Sequence, residues 1–203
     1  MRRSVLAAFL ALVALPVQAQ DKPPLYPTRD VAITYRLTGG QTQPGMQSLT
    51  VAWLAAAQAM RVDMGAAGYM VADHRTQRGF MVVEAARMIM DVPMEQAMQQ
   101  HGPSANATYR RTGTDTVAGL PCTVWAFQDR GNNGTACVTN DGVMLRAQGT
   151  SGGQSGSMEA TQVTFGAQNP ARFQRPQGFQ SMQMPGQIPG QGGSALPGQR
   201  PAR

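Results

Sequence analysis

Two cysteines and two histidines are all that this chain of 203 residues offers of the side chains most used for metal binding, thiol redox chemistry and nucleophile activation. A structural zinc site needs four such ligands at short spacings, and Cys122, Cys137, His74 and His101 are dispersed singly. The redox spacing Cys-x-x-Cys is absent. Neither histidine has a serine or cysteine nucleophile in a recognisable setting, and the 11 carboxylates fall one at a time at strand ends and turns. No catalytic residue, metal ligand set or cofactor is assigned, and a non-enzymatic protein is expected. Long hydrophobic runs are missing too: nothing approaches the roughly 20 consecutive apolar residues needed to cross a bilayer, so no membrane span is expected.

Acidic residues are outnumbered by basic ones, giving a formal charge of +6 and a pI near 10.1. Position removes the obvious reading. Arg2 and Arg3 lie at the amino terminus, and Arg172, Arg175, Arg200 and Arg203 lie beyond Pro170, where no acidic residue occurs. The body between them is electrically balanced, so no nucleic-acid partner is expected.

The amino terminus carries Arg2-Arg3, an apolar run from Val5 to Leu15 and Val17-Gln18-Ala19. Basic flank, short apolar core and small residues before a cleavage point read as a secretory signal over residues 1–19, and hence a periplasmic location. Residues 20–29, polar and proline-rich, are expected to form a loose leader. In an exported chain two cysteines read as one disulfide. A Cys122–Cys137 bridge would close a loop of about 15 residues, worth about 3 kcal/mol in the chain-entropy model.

Period-2 alternation of apolar and polar residues predicts strands at Val31–Leu37, Leu49–Trp53, Met60–Met64, Tyr69–Asp73, Gly79–Glu84 and Met88–Val92. Alanines make 54–60 ambiguous with helix. Pro93 stops the sixth strand, and Met94–Gln100 lacks β-branched residues, which predicts a short helix. A further strand starts at Tyr109. Residues 117–147 hold two hairpins, with turns at Asp129–Gly134 and at Asn140-Asp141-Gly142. Residues 150–157, rich in glycine and serine, are expected to be a mobile loop before a last strand at Met158–Phe165. Domain limits follow as 30–169 for the β-rich body and 170–203 for a Pro/Gly/Gln-rich disordered tail, with 173–179 docked by its two phenylalanines.

Gly119-Leu120-Pro121-Cys122-Thr123-Val124-Trp125, then Cys137 with Asp141-Gly142-Val143-Met144-Leu145-Arg146, then Phe173-Gln174-Arg175-Pro176-Gln177-Gly178-Phe179 resemble the uncharacterised exported proteins grouped with the LolA/LolB-like lipoprotein carriers. The block from Ala59 to Asp73, with the Phe80 and Met88 strands, is similar to the carriers' first meander. The resemblance implies a mainly β (α+β) fold, a curved antiparallel sheet forming an incomplete β-barrel with one or two short helices over its opening. It also implies that Arg61 stands where the carriers keep a cavity-closing arginine, although here that arginine lacks the flanking aromatics and no Asp-Gly follows it.

Fourteen methionines against six phenylalanines is the other signal. Methionine is flexible and polarizable, which suits adaptable apolar pockets as well as irregular cores. The expected cavity lining is Val62, Met64, Met70, Met81, Val82, Met88, Met90, Met94, Met98, Trp125 and Phe127. The expected partner is a lipid, acyl chain or other apolar small molecule. Two further readings stay open: thioethers gathered for Cu(I), with Met88, Met90, Met94 and Met98 close in sequence and Met182 and Met184 in the tail, and a structural protein whose tail contacts other envelope components.

Overall fold

The computed structural model describes residues 22–39, 47–101, 103–151 and 153–182. The expected signal and the last part of the expected tail, Met184 included, lie outside the described residues. Twelve strands follow in order: β1 Val31–Gly39, β2 Ser48–Leu54, β3 Ala59–Asp63, β4 Tyr69–Asp73, β5 Arg78–Val83, β6 Met88–Val92, β7 Thr108–Val117, β8 Leu120–Asp129, β9 Asn132–Val138, β10 Met144–Ser151, β11 Gln154–Phe165 and β12 Gln180–Met182. One helix, α1 Met94–His101, follows β6, and short 3-10 turns occupy Ala55–Ala57, Gly65–Ala67, Glu84–Ala86 and Pro170–Phe173.

All twelve strands form one sheet in the order β12-β6-β5-β4-β3-β2-β1-β11-β10-β9-β8-β7. Its edges, β12 and β7, do not pair, so the curved sheet stays open, as expected for an incomplete barrel. Every pairing is antiparallel except β12 on β6. The meander owes its regularity to the connections. The β2–β3 and β5–β6 links are alike: a 3-10 turn ending on a left-handed residue, Gln58 at φ 51° and Arg87 at φ 50°. The β7–β8 and β8–β9 hairpins turn on Ala118-Gly119 and Arg130-Gly131, with both residues of each pair at positive φ, as the two-residue type I′ turn demands.

Residues paired across strands share a face, and the unbroken registers from β1 to β6 sort the sheet's left half cleanly. One face carries Leu49, Val51 and Trp53, then Met60 and Val62, Met70 and Ala72, Gly79 and Met81, Met88 and Met90. The other carries Ala52 and Leu54, Ala59 and Arg61, Tyr69 and Val71, Phe80 and Val82, and Ile89. This second face is the better packed: Ala52, Val71, Val82 and Ile89 are each no more than 3% exposed.

Chain from 170 to 182 covers it. Phe173 is buried in that cluster and Phe179 packs at its margin. Arg61 donates to the Arg172 carbonyl at 2.9 Å, Arg172 pairs with Asp63 at 3.1 Å, Arg175 pairs with Asp91, and Arg87 donates to the Gly178 carbonyl at 3.0 Å. Residues 173–179, expected to dock by their two phenylalanines, thus lie in a strap that completes a core. Cluster geometry explains this: a sheet layer with Val71, Phe80 and Val82 on one side needs a second layer, and this strap is what lies against it.

The leader is not loose. Pro23 is buried, Tyr26 stacks on Trp53 with centroids 5.3 Å apart, and Arg29 lies over the Phe165 ring at 3.7 Å while pairing with Asp141 at 2.6 Å. Asp30 fixes its end, accepting from the amides of Ala55 and Gln168 at 2.8 and 2.9 Å. The 150–157 stretch also departs from expectation. Thr150 pairs with Ser155 and Ser151 with Gln154, so the loop is a hairpin built by backbone pairing that side-chain composition does not report.

Cys122 and Cys137 are bridged, with Cα atoms 5.4 Å apart. They are not directly opposite: Cys137 faces Val124, and the bridge runs diagonally across the β8–β9 ladder. Both cysteines belong to the larger core cluster, with Val31, Ile33, Tyr35, Val143 and Leu145. Tyr35 buries its hydroxyl there, donating to the Met144 carbonyl at 2.6 Å, and burial pushes its ionisation far above the ordinary phenol range.

Candidate functional site

The first face of β2–β6 is built from residues that alternation puts there, covered at Trp53, Ala72 and Gly79 but left partly open along its middle. A single cross-strand row runs Val51, Val62, Met70, Met81, Met90 across five adjacent strands. Every member is partly exposed, while Val71 and Val82, on the reverse of the same strands, are 3% and 0% exposed. Five strands at about 4.8 Å spacing make the row roughly 19 Å long. Met60 and Met88 extend it to either side, and no side chain of the β2–β6 strands on this face is charged.

Helix α1 closes one end. Pro93 halts β6 and lets the chain turn, and Met94 reaches back over Gly79, whose missing Cβ makes the room: a Cβ there would lie 2.8 Å from the Met94 sulfur. Met94 is buried, while Met98, one turn on, stays partly exposed. At the other end Tyr26, Trp53 and His74 form an aromatic group, with Tyr26 4.7 Å and Trp53 5.7 Å from the imidazole. The Trp53 indole nitrogen and both His74 ring nitrogens are shielded and make no hydrogen bond among the described residues. Burial pushes the His74 pKa below its ordinary value, only partly offset by the Asp73 carboxylate.

Two hollows lie outside the methionine row. The larger, about 520 Å³, sits where Gly39, Gly156, Gly149 and Gly134 line up in register on four neighbouring strands, flanked by Thr38, Ser157 and Gln148. The smaller, about 150 Å³, lies among Pro24, Arg111, Trp125 and Thr139.

A family model described as a domain of unknown function (DUF4412) matches residues 37–179. The chain belongs to the DUF4412 family. Its matched segment takes in the meander, the disulfide hairpin and the strap through Phe179, and leaves the leader outside. Among curated proteins none matches this DUF4412 chain. Similar solved structures include MucB in the MucA/MucB complex of Pseudomonas aeruginosa (17% identity, TM-score 0.47, 72% of this chain and 56% of that one) and PNGF-II (13%, 0.49, 76% and 32%). They also include a LolA-superfamily protein from Nitrosomonas europaea (6%, 0.27, 74% and 92%). The DUF4412 chain spans 56% of the first of these, MucB, and 32% of PNGF-II.

The expected cavity residues divide. Val62, Met70, Met81, Met88 and Met90 share the open face, and Met64, Met94 and Met98 border it from the end of β3 and from α1. Val82 does not belong: adjacent to Met81 in a strand, it must point the other way, and it is fully buried against the strap's side. Arg61 is excluded for the same reason. It lies over the Tyr69 ring at 3.5 Å, pairs with Asp63 at 2.6 Å and holds the strap, so it closes no opening on the methionine face. Trp125 and Phe127 sit on β8, six strands from β3 in sheet order, where Trp125 meets the leader and the Phe127 ring abuts Gly134. The Tyr26–Trp53–His74 group was missed from sequence, since nothing local links positions so far apart.

Proposed function

We propose that this protein is an exported, periplasmic, non-enzymatic binding protein that holds an acyl chain or similar apolar ligand against the methionine face. One observation carries the reading: five adjacent strands present an uncharged, partly exposed row, Val51 to Met90, while the reverse of the same strands is sealed by the protein's own strap. Each methylene transferred from water to such a surface contributes about 0.8 kcal/mol. Unbranched thioether side chains adapt to a flexible chain better than branched ones do. The bridged cysteines support an oxidising compartment, and the row's length suits an extended chain lying across the strands.

The test is displacement of a fluorescent fatty acid, with native mass spectrometry of the purified protein for co-purifying lipid. Met81→Glu, which sets a charge in mid-row, is expected to abolish uptake while leaving the circular dichroism spectrum unchanged. Uptake by the wild type that Met81→Glu leaves intact, or no uptake by the wild type, would refute the reading.

A further inference from the structure

The row contains a narrower feature that apolarity alone does not require. Met70 pairs directly with Met81, and Met81 directly with Met90, so three thioethers stand side by side on β4, β5 and β6. Directly paired residues hold their Cβ atoms about 4.5–5.5 Å apart, and rotation about the Cα–Cβ and Cβ–Cγ bonds of each unbranched side chain lets the sulfurs converge on one point. A fourth sulfur, that of Met94, is held over Gly79, two residues from Met81 on the same face of β5. All three row methionines are partly exposed.

We infer that Met70, Met81 and Met90, with Met94 beside them, form a binding site for a soft monovalent cation, Cu(I) or Ag(I). Thioether donors select soft ions, whereas magnesium, calcium and zinc need carboxylate, carbonyl, imidazole or thiolate ligands. The strand face around these methionines presents none of those side chains: Arg61, Asp63, Asp73, Arg78 and Asp91 all lie on the reverse of the same strands. The site shares its face with the apolar binding proposed above but does not depend on it, because a soft metal needs the thioether sulfurs themselves whereas an acyl chain needs only apolar surface.

That difference supplies the experiment. Protein labelled with carbon-13 at the methionine methyls is titrated with Ag(I) alone, and Cu(I) affinity is measured against a colorimetric chelator. Wild-type protein is expected to bind one equivalent, with the methyl signals of Met70, Met81 and Met90 shifting together. The variant Met70→Leu/Met81→Leu/Met90→Leu, near in volume and apolar, is expected to keep its fold, read by circular dichroism and by its thermal unfolding. Its metal affinity should fall by more than the roughly ten- to hundredfold that loss of an outer partner costs a metal site. Single Met81→Leu, the gentlest change, should also weaken binding. Metal affinity unchanged in the triple variant, shifts confined to other methionines, or failure of the wild type to compete with the chelator would overturn the inference. Loss of fatty-acid uptake by Met81→Glu with silver binding absent in the wild type would leave the apolar reading standing alone.

Discussion

Phe173→Ala tests whether residues 170–182 are a structural layer or a surface attachment. An aromatic side chain buries about 150–250 Å², and Phe173 is 9% exposed. At about 25 cal/mol per Å², its removal forfeits roughly 4 kcal/mol, in line with the 3–5 kcal/mol typical of buried Phe→Ala changes. The ion pairs along the same strap are partly or largely exposed, with Arg172 and Arg175 side chains 42% and 44% accessible. Each should be worth less than about 1 kcal/mol. Urea denaturation followed by circular dichroism is therefore expected to show Phe173→Ala destabilised by about 3–4 kcal/mol, and a melting temperature lower by about 6–16 °C for a domain of this size. Arg172→Ala and Arg175→Ala should stay close to wild type. A Phe173→Ala protein within about 1 kcal/mol of wild type, or an Arg172→Ala protein damaged as much, would show that the strap is held by its charges and that the face beneath is complete without it.

Three further outcomes are expected. Cys122→Ala/Cys137→Ala should lose about 3 kcal/mol of stability through the freed loop while keeping fatty-acid uptake, measured by denaturation and displacement in parallel. Because His74 is held neutral by burial, its folded pKa lies below its unfolded one. Stability is then complete above the unfolded value near pH 6.5 and falls as acid drives protonation of the unfolded chain. His74→Phe should flatten that part of the pH–stability curve, leaving the loss below about pH 4 from carboxylates such as Asp73 and Asp129, which accept hydrogen bonds from Arg75, Thr76 and Ser104. Gly142→Ala should unseat the leader, since a Cβ at Gly142 would lie 2.2 Å from the Tyr26 carbonyl and its φ is +84°. Faster proteolysis near Tyr26 and a change in Trp53 fluorescence would report it; an unaltered leader would refute the contact's importance.

Most strands were legible because they pair a short alternating run with a clear stop: Pro93 after β6, Gly131 between β8 and β9, Gly142 before β10; β12, in the run expected to be a disordered tail, was not. The bridge was legible because only two cysteines exist. Alternation also says that Met81 and Val82 cannot share a face, and Val82 stood among the cavity residues against it; Arg61 was expected there from the resemblance to the carriers, although alternation already sets it opposite Met60 and Val62. The leader was opaque for another reason: it is proline-rich and aperiodic and gains order only from surfaces assembled elsewhere, Tyr26 from Trp53 and His74. The strap's docking was legible because Phe173 and Phe179 stand out in a polar run, while the faces that receive them, Val71, Phe80 and Ile89, are distant in sequence. The 150–157 hairpin was misread because its pairing uses main-chain groups, which Ser-Gly composition neither favours nor forbids.

The leader's seat imposes an order of assembly. Arg29 and Thr28 meet Asp141, and Tyr26 passes against Gly142, across 112 residues of chain in the case of Arg29. Contacts this distant in sequence form late, after the strands between them have cost their loop-closure entropy. Among the described residues, those first in the chain are consequently among the last to be seated, so the stacking of Tyr26 on Trp53 and His74 completes the fold rather than starting it.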